Sequence, residues 1–326
     1  MRGFRCLRRF VLVSLLLGLL GATFPPAGLA QARLKVVTSV APIASLVRNI
    51  AGSRIDLVQL IPDGVDSHTF EPRPSDVRFI AEADLFVLNG LGLEASIQRL
   101  IAANAKPGAQ VLLLAENTIT PDQWIFDRSF PVERGSPNPH LWLNVAYARR
   151  YAELIRDKLV EMDPANADYY QANAAEFLAR LDQLDQAIFA AVQTIPPQNR
   201  RLLTYHDSWP YFAARYGFEV IGAIQPADFA EPRPRDVAAI IDQIRRTGVP
   251  AIFGSEVFPS RVLETIGRET GARYIDTLRD DDPPGPPGSP EHTYIGMMLA
   301  NMRTMVAALG GDPSVFDGID PRNVAQ

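Results

Sequence analysis

ANADYYQANAAEFLARLDQLDQAIFAAVQ, residues 165–193, is the stretch whose reading decides the architecture. It follows Pro164, runs as one unbroken helical pattern, and stops before Pro196-Pro197, which cannot continue a helix. At 1.5 Å per residue it spans roughly 40 Å, longer than an average helix. Such a helix suits a spine between two lobes.

Outward from that spine, both flanks alternate short apolar runs with amphipathic segments. Toward the amino terminus, strands are expected at Leu34–Thr38, Ile55–Ile61, Asp84–Asn89 and Gln110–Leu114. Helices are expected at Pro42–Ala51, from Ser75 and at Glu94–Ala103, with another at Ala146–Met162 leading into the spine. Beyond it, strands at Arg201–Tyr205, Glu219–Ile224, Ala251–Phe253 and Arg273–Asp276 alternate with helices at Trp209–Tyr216, Pro234–Thr247 and Arg261–Thr270. After the proline-rich Asp282–Pro290, a last helix ends near Gly310. Strands alternating with helices mean βαβ units and parallel sheets. The fold class is therefore α/β, with two parallel-sheet lobes joined by one long helix. The expected divisions are 31–163, a linking helix at 164–196, and 197–326. A loop of about twenty-five residues, Glu116–Pro139, interrupts the rhythm; loops of that length are usually functional.

A repeat supports related halves. Glu71-Pro72-Arg73-Pro74-Ser75-Asp76-Val77 returns as Glu231-Pro232-Arg233-Pro234-Arg235-Asp236-Val237, with six of seven positions identical. Proline suits a first helical turn, where its missing N–H loses no partner. Independent helix starts would explain the prolines but not the flanking Glu, Arg and Asp.

Residues 1–30 read differently from the rest. Arg2, Arg5, Arg8 and Arg9 precede the apolar run Phe10–Leu20, and small residues Gly28 and Ala30 follow Pro25-Pro26. This is the pattern of a secretory signal cleaved near Ala30, and the run is too short for a membrane span. Cleavage removes four of the 32 basic residues and none of the 37 acidic ones, so the formal charge of −5 becomes about −9. An acidic surface gains nothing from phosphate backbones, which argues against nucleic-acid binding. The sole cysteine, Cys6, lies within the signal, so the mature chain has neither a disulfide nor a thiolate ligand. It also precedes the apolar run, where a lipid-acceptor cysteine would follow it. A soluble, extracytoplasmic protein is expected.

Three of the four histidines stand just past strand ends: His68 after Ile55–Ile61, His140 at the end of the long loop, and His206 after Arg201–Tyr205. Ligand groups in open α/β sheets gather beyond the carboxyl ends of the strands. Asp276, ending its strand, joins them at the same edge. Two ligands from each lobe would then make a four-ligand N₃O site across a cleft. Imidazole and carboxylate suit zinc, manganese or ferrous iron. Four protein ligands close a site, whereas catalytic zinc keeps a position for water, so binding is expected rather than catalysis. Glu256 is the competing carboxylate, as a direct ligand or as a group orienting a histidine. His292 and the run Asp280-Asp281-Asp282 read as solvated, and Trp142, Trp209 and Phe212 as core or cleft wall.

Three motifs carry a resemblance: Asp66-Ser67-His68-Thr69-Phe70-Glu71-Pro72, Asn138-Pro139-His140-Leu141-Trp142-Leu143-Asn144 and Tyr205-His206-Asp207-Ser208-Trp209-Pro210-Tyr211-Phe212. Tyr274-Ile275-Asp276 is a shorter fourth. Over essentially the mature length the chain resembles the zinc- and manganese-specific solute-binding proteins of ABC importers, the metal-binding cluster A-I family. The resemblance implies two α/β lobes bridged by a rigid helix, one metal ion buried between them, and delivery to a membrane permease; the chain itself is expected to be monomeric. Two departures bear on the metal. The long loop lacks the histidines frequent in zinc members, while His206 stands where manganese members commonly carry glutamate. Three histidines and one aspartate favour zinc over manganese. Asn138 replaces the usual acid before Pro139, leaving the surroundings of His140 less negative. The alternatives are a metal-dependent hydrolase with Glu256 or Asp207 as base, for which no HExxH or GxSxG is present, and a surface adhesin with an incidental metal.

Overall fold

The computed structural model describes residues 32–225, 232–255 and 261–325. Its strands are β1 (Lys35–Thr38), β2 (Asp56–Gln59), β3 (Leu85–Leu88), β4 (Gln110–Leu113), β5 (Arg201–Thr204), β6 (Glu219–Ala223), β7 (Ala251–Phe253) and β8 (Arg273–Ile275). The α-helices are α1 (Ala41–Ala51), α2 (Asp76–Glu82), α3 (Ala95–Asn104), α4 (Val145–Met162), α5 (Ala167–Thr194), α6 (Pro210–Tyr216), α7 (Pro234–Thr247), α8 (Arg261–Thr270) and α9 (Tyr294–Ala308).

Two four-stranded parallel sheets form, in the orders β2-β1-β3-β4 and β6-β5-β7-β8. The same order repeats in each half, which agrees with the repeated heptapeptide. In the first copy the helix opens at Asp76, two residues past Pro74, and Asp76 Oδ2 accepts from the Arg73 N–H at 2.7 Å. In the second, Pro234 is itself the first helical residue.

β3 is buried along its whole length, as expected of a parallel strand covered on both faces. The spine α5 is 28 residues long and buries Tyr170, Ala174, Phe177, Leu181, Leu184, Ile188 and Val192. Those spacings of three and four place one apolar stripe against α4, α1 and α9. A large core continues from the first sheet through α5 to α9, and a smaller one gathers Leu203, Ile224, Ile240, Ile244, Ile252, Leu263 and Ile266 between the second sheet and its helices. At about 1.5–3 kcal/mol per buried Leu or Ile, each half retains its own apolar driving force. α9, within 197–326, packs on α1 and α5 and is also tied to the segment after β8, Asn301 Nδ2 donating to the Arg279 carbonyl at 2.6 Å. Among the described residues, no helix is long and apolar enough to cross a membrane. The signal read at residues 1–30 lies outside the described residues.

In both sheets the first strand has neighbours on opposite sides that follow it in the chain, so each lobe has a switch point, at β1/β3 and at β5/β7. The loops after β2, β4 and β5 all leave from the carboxyl ends around these points.

Candidate metal centre

His68 is placed by a turn built on Asp66. The Asp66 carboxylate accepts from the His68 N–H at 2.9 Å and from Thr69 Oγ1 at 2.7 Å, as aspartate does in Asx turns. His140 ends the long loop, where Asn89 Nδ2 donates to the Pro139 carbonyl at 2.9 Å. Asn89 is held in turn by Tyr151, whose hydroxyl donates to Asn89 Oδ1 at 2.7 Å. Beneath it the fully buried Glu94 accepts from Ser39 Oγ, the Asn89 N–H and the Gly90 N–H at 2.6, 2.8 and 2.9 Å. Burial pushes the Glu94 carboxyl upward, and those three donors oppose the shift. Gly90 has φ 94°, and a Cβ there would run into the Glu116 carboxylate, so only glycine fits. His206 follows β5, its carbonyl accepting from Thr204 Oγ1 at 2.7 Å.

These three loops bring three imidazoles to one point. The Nε2 atoms form a triangle with edges of 3.0 Å (His206–His68), 3.1 Å (His68–His140) and 3.2 Å (His206–His140). Nitrogens held about 2.0–2.1 Å from a tetrahedral zinc stand about 3.3–3.4 Å apart, so the triangle is near the size an ion requires. His140 Nδ1 meets Asn138 Oδ1 at 2.9 Å, and His206 Nδ1 meets Gln225 Oε1 at 2.8 Å. An amide oxygen only accepts, so each of these Nδ1 atoms carries its proton and each Nε2 presents a lone pair to the triangle's centre. Burial, with the neighbouring imidazoles adding, holds His68 and His140 well below the ordinary histidine pKa, in the neutral form that ligates. His140 and His206 are buried and His68 is partly open. The Phe130 ring lies 5.4, 5.7 and 6.1 Å from the His68, His140 and His206 rings, and Trp142 lies 5.1 Å from His140. Apolar rings of this kind exclude water and strengthen the field around a bound ion.

Asn138 ties the two halves together. Its Oδ1 also accepts from the His140 N–H at 3.0 Å, while its Nδ2 donates to Asp127 Oδ2 at 2.7 Å and to the Asp207 carbonyl. Burial first, then the Asp127 carboxylate, pushes the Asp207 carboxyl well above the usual range, so this facing pair retains a proton.

Three expectations change. Asp276 does not join the histidines; it is exposed at the end of β8, because the strand closes one residue earlier and the side chain turns to solvent. The run Asp280-Asp281-Asp282 is not solvated but 4, 7 and 8% exposed. The Asp280 carbonyl accepts from Trp142 Nε1 at 2.8 Å, Ser255 Oγ donates to Asp280 Oδ1 at 3.3 Å, and the Gly64 N–H donates to Asp282. Asp281 faces Ser67, the residue before His68, and Asp66; burial, then Asp280, pushes its carboxyl well up. Burial likewise pushes Asp282 up to about 6. Nor is His292 solvated: its side chain is 8% exposed, with Nδ1 3.0 Å from the Gly285 carbonyl and Nε2 3.3 Å from Asp63. Glu256 lies outside the described residues. Trp142, Trp209 and Phe212 are buried, as expected. Gln225, Phe130, Asn89 and Glu94 belong to no sequence motif; only their positions in space tie them to the histidines.

The family model described as zinc-uptake complex component A, periplasmic, matches residues 36–308. The manganese-binding lipoprotein MntA of Halalkalibacterium halodurans is 33% identical over 277 residues, covering 85% of this chain and 88% of its own. The iron-binding protein YfeA of Yersinia pestis is 29% identical over 282 residues, covering 85% and 87%. Among solved structures, the periplasmic zinc-binding protein TroA of Treponema pallidum superposes with a TM-score of 0.76 at 28% identity, covering 86% of this chain and all of that one.

Proposed function

Because the chain belongs to the family of periplasmic zinc-uptake components, substrate-binding proteins rather than enzymes, we propose that it captures one divalent transition-metal ion and delivers it to an ABC permease. The observation that carries this reading is the Nε2 triangle of His68, His140 and His206, with Nδ1 protons directed outward at Asn138 and Gln225. With both Nδ1 positions protonated, the His140 and His206 Nε2 lone pairs face each other at 3.2 Å, an arrangement that a cation between them relieves.

For the fourth donor we propose Asp281 ahead of the exposed Asp276; neither carboxylate lies among the three Nε2 atoms, so either must approach them when the ion binds. Asp281 is buried next to the His68 loop, and a buried carboxylate is stabilised by an adjacent cation. Three neutral imidazoles favour zinc; manganese is the second reading, favoured by the relatives that bear its name. We further propose that the mature protein acts as a monomer and, because Cys6 precedes its apolar run, carries no lipid anchor, although several relatives are named lipoproteins. Mass analysis of the processed amino terminus separates these cases: an acylated cysteine would overturn the soluble form.

Elemental analysis of protein purified without chelator, followed by competition titration, tests the main claim. One zinc per chain, held more tightly than manganese or iron, is expected. A protein that binds none of the three would remove the proposal.

A further inference from the structure

A cavity of about 230 Å³ opens beside the triangle, lined by His68, Phe130, Ser129, Arg134, Ser136 and Gly92, with Leu91, Leu93 and Pro139 behind them. It is the side on which His68, the least buried of the three, meets solvent. Its volume is below the roughly 300–1,000 Å³ of drug-sized ligand sites, so an occupant must be small. Gly92, at φ 85°, brings bare backbone to the wall, and a Cβ there would approach Ser136 Oγ to 3.0 Å.

The chemistry of this cavity is odd for the approach to a cation site. Its charged residue is Arg134, which is exposed and makes no ion pair with any described residue. A guanidinium repels an approaching bare dication. It attracts an anion, and its planar fork of donors matches a carboxylate. Two hydroxyls share the wall. The Ser129 hydroxyl is committed only through a long 3.4 Å bond to the Gln225 carbonyl, and Ser136 is exposed. An anion held here has the guanidinium on one side and, once the site is loaded, the ion on the other. Three neutral imidazoles and one carboxylate leave a dication with residual positive charge, and both zinc and manganese accept more than four donors.

We propose that this cavity seats a small di- or tricarboxylate which adds a carboxylate oxygen to the bound ion from the His68 side, its remaining carboxylate held by Arg134 and Ser136. The protein then accepts the metal as a weak carboxylate complex as well as the hydrated ion. Arg134 selects for that anion, and no other part of the carboxylate is recognised than its charge and size. This inference rests on the three-histidine metal site.

The probes are cobalt(II), whose visible absorption reports its coordination, and malonate, a three-carbon dicarboxylate. Cobalt-loaded protein is titrated with malonate, and Arg134→Gln and Arg134→Lys are carried through alongside. A saturable change in the cobalt bands is expected for the parent protein. The apparent affinity for malonate should fall at least tenfold in Arg134→Gln and be partly restored in Arg134→Lys, while all three take up cobalt equally. Metal-free protein should bind malonate weakly or not at all. An equal response in parent and Arg134→Gln would overturn the proposal, as would unchanged bands or removal of cobalt without a ternary complex. Failure of all three proteins to load cobalt would refute the metal site itself, and the carboxylate seat with it.

Discussion

His68 Nε2 and His206 Nε2 lie 3.0 Å apart, although one follows β2 in the first lobe and the other follows β5 in the second. The contact joins the two halves through imidazole nitrogens alone, and the His206 Nε2, whose Nδ1 proton is directed at Gln225, presents its lone pair there. On the proposed reading, an ion bound between them would add a bond from each half and so stabilise this arrangement.

Loading should raise the melting temperature in proportion to the logarithm of free metal. At a thousandfold excess over Kd the gain is about 4.1 kcal/mol. Calorimetry on parent and His206→Ala protein checks this; equal stabilisation in the two would remove His206 from the ligand set.

Alanine at His68, His140 or His206 should each weaken zinc binding by at least about 100-fold while the metal-free fold persists, since all three stand on loops outside the strands. Asn138→Ala and Gln225→Ala act only through the imidazoles they orient and should cost about 10- to 100-fold. Competition titration ranks the five. An Asn138 change as severe as a histidine change would mean that it contacts the ion.

The fourth donor is decided by Asp281→Ala beside Asp276→Ala and Asp280→Ala. A loss of at least about tenfold is expected for Asp281, the buried carboxylate beside the His68 loop, and little or none for the exposed Asp276. Wild-type affinity in the Asp281 variant with a loss in Asp276 would restore the strand-end aspartate. His292→Ala should leave affinity unchanged and lower stability modestly, because its contacts are with Gly285 and Asp63.

Metal-free stability should depend on pH with two opposing signs. His68 and His140 have folded-state pKa values below their unfolded value of about 6.5, so the unfolded chain binds more protons as pH falls below that point, and stability drops. His140→Gln should flatten this acid limb. Asp282, raised to about 6, acts in reverse: its contribution is lost as pH climbs from about 4 to 6. Asp282→Asn should therefore stabilise the metal-free protein by about 1–2 kcal/mol at pH 7.5, after discount for solvent screening, and by much less at pH 4. A stabilisation independent of pH would show that Asp282 is not the titrating group.

The elements and their order were legible in the sequence because each strand is a short apolar run and each helix carries its own periodicity and proline or glycine punctuation. The spine read at 165–193 forms at Ala167–Thr194, and most ends agree within a residue or two. The three histidines were legible because strand ends in such sheets face one edge, whatever the distance along the chain. Asp276 stands at the strand end the same rule gives it but outside the triangle, because a strand end predicts an edge and not which way the last side chain turns. The burial of Asp280–Asp282 was hidden because a run of acids in a proline-rich segment has the composition of a solvated loop. Its cover comes from Trp142, Gly64 and Ser255, between 25 and 218 residues away in sequence. The partners Asn138 and Gln225 lie two and 19 residues from the histidines they hold. Local pattern determined which segments became strands and helices and which residue types could meet a metal. Only the closing of one lobe on the other decided which nitrogen, amide and carboxyl groups meet, because contacts between distant loops depend on packing that no local periodicity encodes.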